Sequence, residues 1–410
     1  MTVNAPTDHA VVALEHTASA IASARRAAAA DRYAADALTV EWRAFGALES
    51  IVDEWRELAA RALEANVFYE PDFALAAAAV FGRDAGAVLV WSGDDPRRLL
   101  GLFPARIETR RYGLKLPLLV GWTHPYAPLG TPLVERDAAE PVIAAWLAHV
   151  AADPLLPGLL LLPLVPEHGP FAAALGAILR RAQMPSAAFN RHSRALLAPP
   201  ADRSDYVERA LGPRKFRELR RTARRLGELG ALMFTAATEP GAVDAAVEHF
   251  LSLEAAGWKG KAGTAAACND AIRRFVEAAL ASLAAANQVT VDRILLDGRP
   301  IAATITLRSA NAAWLWKIAY DETLARYSPG VMLIAAVTED LAENSAIAQT
   351  DSCAAAVNPV IDRIWSERLA LGDLLIAARP RARFAGARRL ERLRGAAIAA
   401  AKRVRGLFAR

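Results

Sequence analysis

Val289-Thr-Val-Asp-Arg-Ile-Leu-Leu296, Asp297-Gly298, Ile301-Ala-Ala-Thr-Ile-Thr-Leu307 and Trp314-Leu-Trp-Lys-Ile-Ala-Tyr320 follow one another toward Arg326-Tyr327-Ser328-Pro329-Gly330. The first two runs are strands joined at an Asp-Gly turn. The third is a strand that feeds the loop ending at Gly330. A helix is predicted from Val331, then a short strand and another helix before Leu371. A loop closed by glycine at a helix N-terminus suits a phosphate group. First-turn amides lack helical partners, and the helix dipole adds partial positive charge there.

Outside this stretch, composition sets broad bounds. A chain of 410 residues has room for two domains or more, each with its own core. The hydrophobic share of 54% is inflated by alanine. The longest strongly apolar run, Leu155–Val165, is interrupted by Pro157, Gly158 and Pro163. It falls short of the roughly 20 residues that span a bilayer. No secretory signal is visible, and Cys268 and Cys353 are the only cysteines. With no HxxxH pair among seven histidines, a cytoplasmic protein without a metal site is expected. The net charge is +5, but residues 377–410 hold eleven Lys or Arg against Glu391. That segment carries about +10, which leaves about −5 for the rest.

Four segments are expected. Residues 1–37 are Ala-rich without large periodic apolar residues and read as a disordered extension. Residues 38–197 alternate predicted strands and helices, among them the amphipathic helix Ile51–Leu63 and the strand Gly158–Leu164. Residues 198–376 begin at the Pro199-Pro200 break with the basic helix Leu211–Leu229 and end beyond the opening stretch. Residues 377–410 form a basic amphipathic tail. The two middle segments share a helix–helix–strands order, which suggests a duplication. The alternation gives an α/β (α+β) fold with mixed, largely antiparallel sheets flanked by helices.

Further motifs then stand out: Glu254-Ala-Ala-Gly257-Trp258-Lys259-Gly260-Lys261, Leu296-Asp297-Gly298-Arg299-Pro300, Trp316-Lys317-Ile318-Ala319-Tyr320-Asp321-Glu322, Phe68-Tyr69-Glu70-Pro71 and Thr131-Pro132-Leu133. Over residues 38–375 their order resembles the CelD-type branch of the GNAT acetyltransferase superfamily, associated with cellulose or exopolysaccharide biosynthesis. That branch is similar to the FemAB peptidyltransferases, which carry two GNAT-like domains in tandem. The resemblance implies two tandem GNAT-like domains, with the second transferring an acyl group from acetyl-CoA. The chain departs from the usual pyrophosphate loop, Arg/Gln-x-x-Gly-x-Gly/Ala. One residue too many separates Arg326 from Gly330, and Met332 stands where a small residue is usual.

Acyl transfer needs a base for the acceptor's proton and an acid for the leaving thiolate. Glu254 is the first choice for the base, with Asp321, Glu322 and Asp351 as alternatives; as the common case, such acids are helix-end or turn charges. Tyr320 or Tyr327 would be the acid. Arg326, Tyr327, Ser328, Pro329 and Gly330 form the candidate cofactor loop, or else an ordinary turn with Ser328 as N-cap. Alternation places Trp314, Trp316, Ile318 and Tyr320 on one strand face and Leu315 and Lys317 on the other. A strand amide there would polarise the thioester carbonyl. Lys317 would bind an acidic acceptor or a phosphate, or is an edge lysine. Trp316, Trp258 and Lys259 complete the substrate candidates. The glycines of Gly257–Gly263 suit a mobile loop or a plain connection, and Trp258 a sugar platform or a packing anchor.

The acceptor expected is a small molecule or glycan precursor. Nucleic acid enters only in the rival reading, aminoacyl transfer from charged tRNA with Leu211–Leu229 as the binding surface. A second rival is a degenerate, membrane-associated scaffold for polysaccharide export. In either case residues 377–410 suit peripheral contact with an anionic membrane.

Overall fold

A computed structural model describes residues 38–93, 97–200, 205–354, 356, 358, 360–380 and 383–408. The expectation for residues 1–37 lies outside the described residues.

The strands are β1 (Leu38–Ala44), β2 (Ala85–Ser92), β3 (Leu99–Glu108), β4 (Leu118–Gly121), β5 (Leu133–Val134), β6 (Leu159–Pro166), β7 (Ser186–Leu197), β8 (Leu232–Ala237), β9 (Val289–Leu296), β10 (Arg299–Ser309), β11 (Ala312–Tyr320), β12 (Gln349–Asp351) and β13 (Glu367–Ala377). The helices are α1 (Val52–Arg61), α2 (Pro71–Phe81), α3 (Ala139–Ala152), α4 (Pro170–Arg181), α5 (Tyr206–Gly227), α6 (Pro240–Ala256), α7 (Asp270–Ala285), α8 (Pro329–Glu343) and α9 (Phe384–Phe408). Gly212 kinks α5 just before Pro213.

All strands join one sheet, ordered β1-β2-β3-β4-β6-β13-β7-β12-β11-β10-β9-β8, with β5 beside β3. From either edge the pairing repeats. Three antiparallel pairs are followed by one parallel pair, β4 with β6 or β11 with β12, and then by antiparallel strands. The last strand of each half crosses over. β13 pairs with β6 of the first half, and β7 pairs with β12 of the second. β7 and β13 pair with each other at the centre.

Among the described residues the α-helix expected before Leu371 is absent. A 3-10 turn, Ile361–Arg363, precedes strand β13. This segment has no local signal of its role: it is a strand because β6 and β7 both hydrogen-bond to it, from about 200 residues away in sequence.

Each half has its own core on one sheet face, around Phe103 and Trp146 in the first and around Met332 and Trp365 in the second. On the other face one core spans both halves. There α2 meets α7, with Phe73 edge-on to Phe275 at 5.6 Å. Glu70, at the end of the Phe68-Tyr69-Glu70-Pro71 motif, is buried in this seam. It accepts hydrogen bonds from Gln288 and Ser309 of the second half.

Candidate active site

The parallel pairs diverge after two or three residues, and the two halves treat the gap differently. In the first half, β4 and β6 pair only through Leu119–Val120 and Leu160–Leu161. The chain itself closes the space beyond. The Gly130 amide donates to Leu164 O, and a Cβ on Gly130 would lie 2.0 Å from Pro163 O, so only glycine allows this approach. The segment Thr123–Leu129 then crosses toward the second half. Tyr126 O accepts from Trp316 Nε1 at 2.8 Å, and Pro128 O accepts from Arg194 Nη2 at 3.0 Å. His124 stacks on Phe81 at 4.1 Å. Burial pushes its pKa down to about 3, so this ring is a neutral packing group.

In the second half, β11 pairs with β12 only through Ala312–Trp314 and Gln349–Asp351. Beyond Trp314 the outward edge of β11 has no strand partner among the described residues. The gap holds a cavity of about 200 Å³ lined by Pro125, Pro128, Lys259, Leu315–Ile318, Ser352–Ala354, Asn358 and Ile361.

A β-bulge shapes this edge. Ile305 pairs with Lys317 and Thr306 with Leu315, which leaves Trp316 as the extra residue. The strict alternation expected of Trp314–Tyr320 is thereby broken. Trp314 and Trp316 join the core shared by both halves, but Ile318 packs with Leu315 on the opposite face. Lys317 lies on the open edge of the strand, but its side chain is partly buried rather than free in solvent. Its Nζ lies 3.9 Å from the Tyr126 ring centroid and 5.5 Å from that of Trp316. Burial, and then the Lys259 charge, lower its pKa to about 8 against the opposing pull of Glu254.

Glu254 ends α6 and is buried. One of its oxygens accepts from Lys259 Nζ at 2.8 Å and the other from the Ala266 amide at 2.9 Å. Both oxygens of the first-choice base are thus engaged. The glycine-rich segment that follows is a single helical turn, Trp258–Lys261. A Cβ on Gly260 would lie 1.8 Å from Ala255 O, and Glu322 accepts from the Trp258 amide and from Lys261 Nζ. The turn is therefore tied down at both ends. Trp258 is no packing anchor: it is 63% exposed and, with Tyr320 at 39%, flanks a small cavity beside Lys259.

The remaining acids hold structure. Asp321 caps the 3-10 turn Glu322–Tyr327 through the Thr323 amide and also pairs with Arg299. Burial would raise its pKa, but the Thr323 and Arg299 contacts outweigh it and hold the carboxyl below the usual range. Asp351 forms a two-pronged ion pair with Arg194, both side chains buried. Arg194 is a site neighbour that sequence reading did not name.

The loop at α8 is tighter than expected. Ser328 lies in the left-handed region, φ 51°, with no side-chain cap bond. Pro329 has no N–H, and the amides of Val331 and Met332 both donate to Ser328 O. The expected cluster of free donors shrinks to at most Gly330. A Cβ on Gly330 would lie 3.0 Å from the Tyr320 ring, which covers it. Tyr327 is buried, and the exposed Arg326 stacks on its ring. None of these five residues lines the cavity between β11 and Ser352–Ala354. Cys353 does, but burial and Asp351 push its thiol pKa far up, away from thiolate chemistry.

Among the described residues no His, Cys, Asp or Glu group has metal-binding geometry, and no helix is long and apolar enough to cross a membrane.

Residues 213–356, about a third of the chain, match the acetyltransferase (GNAT) domain family. The fold resembles FemX, with 9% identity, 79% of this chain and 95% of that one covered, and a TM-score of 0.52. It also resembles the C-terminal DUF2156 domain of a putative lysylphosphatidylglycerol synthetase from Agrobacterium fabrum, with 12% identity, 80% and 92% covered, and a TM-score of 0.50. At such identities the likeness concerns the fold. A comparison with curated proteins gives no match. The mixed, largely antiparallel GNAT-like architecture expected from the sequence is the one observed.

Proposed function

We propose that the second half transfers an acyl group, most simply acetyl, from acyl-CoA to an amine or hydroxyl acceptor in the cleft between β11 and Ser352–Ala354. The observation that carries this reading is the parted β11–β12 pair with Lys317 on its open edge, inside a domain of the GNAT acetyltransferase family. The unpaired edge of β11 supplies amides for the thioester oxygen. Lys317, whose pKa is about 8, is part-neutral near physiological pH and takes the acceptor's proton. The acceptor nitrogen or oxygen bonds to the acyl carbon, the carbon–sulfur bond breaks, and the proton passes from Lys317 to the leaving thiolate. Glu254 and Lys259 act by setting the charge around Lys317, and the exposed Trp258 and Tyr320 receive the acceptor. Two exposed aromatic rings suit a sugar-derived acceptor, in keeping with the CelD-type resemblance to exopolysaccharide enzymes.

The test is release of free CoA thiol from acetyl-CoA in the presence of amino sugars and amino acids. The rate should rise with pH through an apparent pKa of about 8. Lys259→Met removes a repelling charge and leaves Glu254 unpaired, and both changes raise the Lys317 pKa. The profile should therefore move to higher pH; an unmoved profile would remove Lys317 from the proton path.

A second reading, aminoacyl transfer from charged tRNA, is favoured by the solvent-facing bases of α5, among them Arg217, Arg220, Arg221 and Arg224. Steeply salt-dependent tRNA binding without acetyl-CoA turnover would select it.

A further inference from the structure

We propose that the β3–β4 hairpin tip, Arg110–Lys115, and helix α9 form one surface that docks on an anionic lipid bilayer. Sequence reading considered only the tail; the structure joins it to a loop some 280 residues away. Glu391 of α9 is buried at the junction. It accepts from Arg111 Nε at 2.9 Å and from Tyr112 Oη at 2.9 Å. The guanidinium groups of Arg111 and Arg394 lie 4.6 and 4.9 Å from the Tyr112 ring centroid. Tyr112 itself has φ 49°, a conformation an aromatic residue rarely adopts without being held there. The first turns of α9 are seated by Phe384, Ala387 and Leu390 on Leu116, Leu118 and their neighbours.

What this clamp presents is amphipathic. Leu114 is 57% exposed, Leu393 59% and Tyr112 42%, with Ile398 beyond at 38%. Around them Arg110, Lys115, Arg388, Arg389, Arg392 and Arg394 are exposed. The acids close by are already paired: Glu391 as above, and Glu108 with Arg106 and Arg111. The helix runs on to Phe408. Exposed aliphatic side chains among exposed arginines suit the headgroup boundary of an anionic membrane, where charge attracts and apolar groups insert. A single-stranded nucleic acid would need open rings to stack on, and the ring of Tyr112 is already flanked by Arg111 and Arg394.

The test is co-sedimentation of the full chain with phosphatidylcholine vesicles, with and without phosphatidylglycerol. The chain should pellet with the anionic vesicles, and added salt should weaken the binding. Leu114→Glu combined with Leu393→Glu should lower the bound fraction by about tenfold or more, since both side chains face solvent and the fold is untouched. Glu391→Ala, which releases the clamp, should lower it less. Equal pelleting with neutral vesicles, no effect of the double substitution, or binding to RNA with none to anionic vesicles would each overturn the proposal.

Discussion

Lys317→Met is expected to lower the rate of acyl transfer by about 10²–10⁴-fold while making the fold more stable. The two effects have one cause. Burial beside Lys259 depresses the Lys317 pKa to about 8, against 10.5 in an exposed lysine. Between those values the unfolded chain binds a proton that the folded chain does not. The folded state is thus penalised at neutral pH, and stability rises as pH climbs from about 8 toward 10.5. Methionine fills the same space without charge, so it removes the penalty. The gain should be about 1–2 kcal/mol after loss of the cation–π contact with Tyr126 is subtracted. Denaturant midpoints at pH 7 and pH 10 check this: the gain should be present at pH 7 and shrink by pH 10. A variant that loses both activity and stability would mean that Lys317 is structural.

Asp351→Ala should cost about 3–5 kcal/mol of stability, measured as a lower urea midpoint with an unchanged slope. Asp351 carries both prongs of the Arg194 ion pair, in a wall where each side chain is nearly inaccessible to water. Alanine leaves Arg194 charged, buried and tied only to Pro128 O. The double change Arg194→Met with Asp351→Leu should recover most of the loss, since it removes the charge along with its partner. The pair joins three segments, β7, β12 and the Pro128 loop, and Pro128 and Ser352 beside it line the cleft. A loss below about 1 kcal/mol for the single variant would mean that water reaches this wall.

These side chains mark where the sequence was informative and where it was not. The β9–β10 hairpin was legible because Asp297-Gly298 is a local turn signal, and both residues have positive φ, 51° and 79°. Helix α1, with its periodic apolar face, was legible for the same reason: the information lies within a few turns. β13 was not, because its apolar residues fit a helix as well as a strand, and remote strands decide the matter. The Trp316 bulge was invisible too, since one inserted residue reverses every alternation after it. That reversal puts Lys317 in the cleft. Glu254 was named from the sequence as a candidate base, but the contacts that engage its carboxylate come from Lys259 and from the Ala266 amide, twelve residues on. Arg194 carried no local signal at all, because its partner lies 157 positions away.

The loop at Gly330 first suggested a phosphate, yet the open space lies between β11 and Ser352–Ala354. Calorimetric titration of acetyl-CoA into the full chain and into Ala354→Trp, whose ring would fill that cavity, is the sharpest test of acyl-CoA binding in this cleft. Saturable binding to the unaltered chain is expected, with affinity lower by at least about tenfold in the variant. Equal affinity in the two proteins, or no binding to the unaltered chain, would contradict it.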